Sequence, residues 1–175
     1  METIFVAALK EETPKLNKFY YTGVGKINAS IKLMELIHLY KPKQVINYGT
    51  AGSLKKEING LVECTTFLQH DMDARGLLNF KLGETPFDSI STITVSNEGY
   101  ICGTGDRFVK NKLELECDIV DMEAYALAKV CKIYNIDFKC YKYISDYANE
   151  DSSDDWIENC NKGASYFFSL YPTCK

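Results

Sequence analysis

Arginine is scarce in this sequence: Arg75 and Arg107 are the only two, and acidic residues outnumber basic ones to leave a net charge of −4. Such a balance exerts no general pull on polyanions, so neither nucleic acid nor an acidic membrane is expected as a partner. CxxC spacing is missing too. The seven cysteines (64, 102, 117, 131, 140, 160 and 174) are odd in number and scattered. That pattern suggests neither a disulfide framework nor a zinc site, and it fits the reduced thiols of a cytoplasmic protein. No apolar run approaches the ~20 residues that span a bilayer. The opening METIFVAALKEE has no basic region ahead of its short apolar run, so export is not expected. Hard-metal spacing such as DxDxDG is missing as well, and no metal or cofactor is expected.

What is present reads as one α/β domain over residues 1–175, with 46% apolar and 25% charged residues and no repeat or low-complexity tract. The run Thr3–Ala8 has strand length and character, followed by a short helical segment to Lys18. Residues up to Gly23 are β-type, and Ile27 to Leu39 follow helical rhythm until Pro42 ends the helix. Val45–Tyr48 is a buried-type strand running into the small-residue turn Gly49–Gly52. Strand, helix, strand with a glycine turn is a βαβ signature. Residues 60–109 carry strands with turn-forming segments between them. Alternation then resumes: strand 118–121, helix 122–134, strand 138–144, and a last helix over about 153–170. The simplest assembly is a three-layer sandwich, a central mixed β-sheet flanked by helices on both faces.

Three acids stand out. On a helical wheel Glu123 shares a face with Leu127, Val130 and Tyr134, away from Lys129 and Lys132. A carboxylate there needs hydrogen bonds, a shifted pKa or water, although a first-turn position favours an anion. Asp146 ends the strand YKYIS, and Glu12 lies just past another strand end. Ligands of open α/β sheets bind at that edge. Convergence of the three suggests acid/base chemistry on a polar substrate. The alternative for Glu123 taken singly is a structural acid that caps its helix or pairs with a lysine.

The segments AALKEE, GVGKINASI, VINYGTAGSL, CGTGDRF, VDMEAYALAKVC and YISDYANEDSS, in this order, resemble the purine nucleoside phosphorylase and uridine phosphorylase superfamily. Its 5′-methylthioadenosine/S-adenosylhomocysteine nucleosidases are the most similar branch, with VDMEA and ISD the most specific pieces. The resemblance implies a nucleoside phosphorylase-like fold that cleaves the N-ribosidic bond of a purine nucleoside. Asp146 would protonate the leaving purine, and Glu12 would position and deprotonate the attacking water. Glu123 would hold the ribose hydroxyls, with Met122 against the sugar. Phe108 would stack on the base and Val109 would offer backbone hydrogen bonds to its edge. Thr50, Ala51 and Gly52 would line the floor, with Ser145 beside Asp146. A homo-oligomer, a dimer foremost, is implied.

Asn47 stands where phosphorolytic relatives place a phosphate-binding arginine, which favours water as nucleophile. Only ten residues separate Glu12 from Gly23, so the family's usual strand pair there is trimmed away. The segment QHDMDARGLLNFKLGETPF also departs from the family pattern. Arg75 within it would meet a 5′-phosphate or act as a surface cation. His70 would orient Asp71, touch substrate or serve as a satisfied loop histidine. Asp118 reads as a solvated strand end and Asp121 as a helix N-cap. Two other activities stay open, a phosphorylase or an AMP-type N-glycosidase, as does a nucleoside-binding protein with weak turnover.

Overall fold

The computed structural model describes residues 2–14, 16–111, 113–149 and 152–174. Eight strands form one mixed sheet: β1 (Thr3–Ala7), β2 (Phe19–Tyr21), β3 (Gln44–Ser53), β4 (Leu61–Gln69), β5 (Thr92–Thr94), β6 (Tyr100–Thr104), β7 (Ile119–Asp121) and β8 (Asp137–Asp146). Among the described residues four α-helices accompany them: α1 (Lys26–Tyr40), α2 (Ala124–Tyr134), α3 (Ser152–Asn159) and α4 (Ala164–Leu170). The expected flanked mixed sheet is present.

β3 is the spine. Its first half lies between β1 and β8, both parallel to it, and its last residues, Gly52 and Ser53, pair antiparallel with β7. β8 then pairs antiparallel with β4, β4 runs parallel to β6, and β6 runs parallel to β7. Strands β3, β8, β4, β6 and β7 therefore close into a ring. β1 and β2 extend it on one side, and β5 extends it beyond β4.

Alternation along β1 sorts side chains to two faces, as period-2 geometry requires. Ile4 and Val6 join Leu33, Leu36, Leu127 and Val130 in the core beneath α1 and α2. Phe5 and Ala7 join Phe19, Tyr48 and Phe167 in an aromatic core beneath α4.

Several local expectations are corrected. The segment after β1 is a single 3-10 turn, Lys10–Glu12, instead of a helix to Lys18. Pro14 disfavours helical backbone at Thr13, which sits at φ −125° and ψ 46°. Gly49–Gly52 is not a turn but part of β3, kept extended by its pairing with β8 and marked by a register shift between Ala51 and Gly52. The last helix is two helices. Gly163 presses on β3 and β8 so closely that a Cβ there would lie 2.4 Å from Tyr143 and 2.5 Å from the Tyr48 hydroxyl. Tyr134, placed on the buried face by the wheel, is exposed at the end of α2. Asp118 is not solvated: it pairs with Lys55 and accepts the Ile101 N–H at 2.8 Å.

Candidate active site

Strand ends and helix starts converge on a cavity of about 150 Å³. Its lining includes Glu12, Glu123 and Asp146, which are only 4%, 7% and 5% exposed, so three carboxyl groups from distant parts of the chain meet with little access to water.

Glu12 enters from the 3-10 turn behind β1. Its Oε1 accepts the backbone N–H and the hydroxyl of Thr50, both at 2.8 Å, and its Oε2 accepts the Leu9 N–H at 3.1 Å. Three donors fix both oxygens, a geometry suited to an ionised carboxylate. Asp146 closes β8. Ser145 Oγ donates to its Oδ2 at 2.8 Å and the Ala148 N–H to its Oδ1 at 3.0 Å. Gly52 makes room for this acid, since a Cβ there would come within 2.6 Å of Oδ1.

Glu123 is the residue immediately before α2, and its Oε1 accepts the Gly25 N–H at 2.9 Å, tying the start of α1 to the start of α2. Burial, and after it the charge of Asp121, pushes the Glu123 carboxyl up to about 8, against the opposing pull of Lys142 and the Gly25 N–H. That shift favours the protonated form of Glu123 near neutral pH.

Beneath the acids lies Lys142, whose Nζ is 2.8 Å from Asp121 Oδ2. Asp121 also accepts Thr104 Oγ1 at 2.6 Å and the Ala124 N–H at 2.8 Å; it ends β7, and the N-cap position expected for it belongs to Glu123, two residues on. Burial by itself would push Asp121 up, but Lys142 and these donors outweigh it and hold the carboxyl below its usual range. Burial would likewise lower Lys142; the charge of Asp121 reverses that and keeps it protonated.

The lining also contains Thr50, Ala51, Gly52, Phe108, Val109, Met122 and Ser145. Phe108 is exposed at the rim and Val109 is buried. Arg75 is not brought to the cavity: it pairs with Asp73 at 2.7 Å and with Glu114. His70 lies outside the lining and makes no hydrogen bond to Asp71; neither ring nitrogen has a partner among the described residues. Asp71 instead takes Lys26 Nζ at 2.6 Å and the Asp106 N–H at 2.8 Å.

Three contributors escaped the sequence reading. Lys142 shares strand parity with Phe138, Cys140 and Ile144, which was a usable sign of burial. Arg107 is the one cation of the lining among the described residues, and Trp156 of α3 is its indole. The acidic residues that surround Trp156 in the sequence give no sign that it faces the cavity. Asn47, by contrast, is absorbed into the sheet, with Nδ2 donating to the Val6 carbonyl at 3.2 Å.

Comparison with known proteins shows the family of the chain. The profile of the phosphorylase superfamily matches residues 19–98 and 83–171. A 5′-methylthioadenosine/S-adenosylhomocysteine nucleosidase of Bacillus cereus (strain B4264) is 30% identical over 161 residues, covering 75% of this chain and 68% of that protein. The Staphylococcus haemolyticus enzyme of the same name is 28% identical over 179 residues, covering 85% and 78%. Among solved structures, the Helicobacter pylori nucleosidase with butyl-thio-DADMe-Immucillin-A superposes with a TM-score of 0.86 at 22% identity, covering 99% of each chain. That likeness speaks for the fold.

Proposed function

The chain belongs to the phosphorylase superfamily, alongside the 5′-methylthioadenosine/S-adenosylhomocysteine nucleosidases, and we propose that it hydrolyses the N-ribosidic bond of an adenine noucleoside of that kind. The observation that carries this reading is the meeting of Glu12, Glu123 and Asp146 in one cavity.

In the proposed reaction the bond from the ribose C1′ to the purine N9 breaks with its electron pair going to the base. Asp146 donates a proton to purine N7, so the base leaves neutral and not as an anion. The sugar passes through an oxocarbenium-like state, and the nearby carboxylates favour its positive charge. Water bonds to C1′ while Glu12, held by Thr50 and Leu9, accepts its proton. Glu123 binds the ribose hydroxyls and Met122 packs on the sugar; Phe108 and Val109 take the base. Free base and free sugar result, and no cofactor enters.

Water is favoured over phosphate because Asn47 lies in the sheet. Arg107 at the rim is the observation on the side of an anionic co-substrate or substituent. Assaying free base from adenosine, methylthioadenosine and AMP, with and without phosphate, tests the reading. Release from a nucleoside without phosphate is expected. Phosphate-dependent release, or release from AMP alone, would replace it with one of the two alternative activities, and tight nucleoside binding without release with the weak-turnover reading.

We further propose a cytoplasmic homodimer. Every cysteine is an unpaired, buried thiol, in keeping with a reducing compartment, and no helix among the described residues is long and apolar enough to cross a membrane. Ile27, Ile31 and Met34 form an exposed apolar stripe on α1, continuous with Val24 at the cavity, and a second copy of the chain would cover it.

A further inference from the structure

Helix α3 grips the site with two side chains one turn apart. Trp156 Nε1 donates to Thr50 Oγ1 at 2.9 Å, on β3, and Asn159 Nδ2 donates to the Ser145 carbonyl at 2.8 Å, on β8. The first contact continues inward, because Thr50 Oγ1 lies 2.8 Å from Glu12 Oε1.

Donor chemistry makes this chain directional. An indole N–H can only donate, and an ionised carboxylate can only accept. Thr50 Oγ1 must therefore accept from Trp156 and turn its single hydrogen toward Glu12. Without the indole, the hydroxyl is free to rotate toward the cavity, and Oε1 keeps only the Thr50 backbone N–H. Polarisation along the chain strengthens the inner bond further.

We propose that Trp156 is a positioning residue that acts through Thr50, orienting the threonine hydroxyl so that Glu12 is held ready for the attacking water. The inference rests on the nucleosidase reading for the role of Glu12, while the hydrogen-bond relay itself stands on geometry. It gives α3, which closes over the cavity after β8, a direct connection to the residue that handles water.

Trp156 also lines the cavity, so the test must separate orientation from wall contact. Trp156→Phe keeps an aromatic wall and removes the N–H. A lost oriented hydrogen bond should lower kcat roughly tenfold with KM nearly unchanged. Thr50→Val should produce a loss at least as large, Thr50→Ser should restore most of it, and Trp156→Phe should add nothing further in the Thr50→Val background. A raised KM with kcat unchanged in Trp156→Phe would reduce Trp156 to a wall residue and overturn the relay.

A second readout does not need turnover. Trp156 is the only tryptophan, so a ¹⁵N-labelled protein shows one indole N–H resonance. That resonance should move in Thr50→Val and stay near its place in Thr50→Ser; no movement in Thr50→Val overturns the relay. Failure of the wild-type protein to release base from any nucleoside overturns the nucleosidase reading instead, and the resonance still decides the relay.

Discussion

Lys142 and Asp121 form an ion pair of 2.8 Å in which each side chain is only 1% exposed, and Asp121 also lines the cavity. Two charges so deeply placed tolerate the loss of both partners better than the loss of one. Lys142→Met would strand a buried carboxylate and should cost on the order of 3–5 kcal/mol in urea unfolding. Adding Asp121→Asn should recover part of that loss by removing the orphan charge. A double variant less stable than Lys142→Met alone would show that the hydrogen bonds of Asp121 to Thr104 and Ala124 matter more than its charge balance.

Glu123 supplies a pH-dependent prediction. Its folded-state carboxyl is pushed from the ordinary 4.5 up to about 8, chiefly by burial. Between those values the folded protein binds a proton at this site that the unfolded chain does not. Stability from this group is thus full below about pH 4.5 and falls as pH rises through 8. Glu123→Gln mimics the protonated form. The stability gap between Glu123→Gln and wild type should therefore widen in favour of the variant from pH 5 to pH 9, by on the order of a few kcal/mol. Urea titrations across that range check it; a constant gap would mean that the buried carboxyl ionises without penalty.

The acids were legible because strand ends and helix starts are local features of sequence. Glu12 follows an apolar run, Asp146 ends one, and Glu123 stands at the start of a helix in line with its buried face; the cavity collects all three. Lys142 was harder, since a lysine in a strand ordinarily marks a solvent face. β8 has a strand on each side, and its even-numbered residues all point inward, a circumstance set by pairing with β3 and β4. Closure of the sheet into a ring depends on the same long-range pairing. Trp156 required knowing that α3 ends before Gly163 and turns one face to β3, which depends on the packing of Gly163 against two tyrosines.

Gly52→Ala tests how finely Asp146 is placed. Gly52 lies on β3, and its backbone passes so near β8 that an added methyl would sit 2.6 Å from Asp146 Oδ1 and 3.3 Å from Val120. The carboxyl must shift to admit it. Displacement of a reacting group by about 1 Å can cost on the order of 100-fold in rate. Gly52→Ala should accordingly lose about that factor in kcat while unfolding near the wild-type temperature. A variant with full turnover would mean that Asp146 works from a position other than the one seen.

Asp146→Asn should separate binding from chemistry. The substitution keeps the size of the side chain and can keep both of its present hydrogen bonds. The amide oxygen accepts the Ala148 N–H, and Ser145 Oγ rotates to accept from the amide nitrogen in place of donating. The fold and the cavity should therefore persist, and thermal stabilisation by a purine nucleoside should be largely retained. The amide can donate a hydrogen bond but is far too weak an acid to transfer a proton to the leaving base, and loss of a general acid typically costs about 10²–10⁴-fold. Base release should fall by that range with KM little changed. Turnover equal to wild type would remove Asp146 as the proton donor and make Glu123, the acid of the same cavity whose carboxyl burial pushes up to about 8, the next group to test for that role.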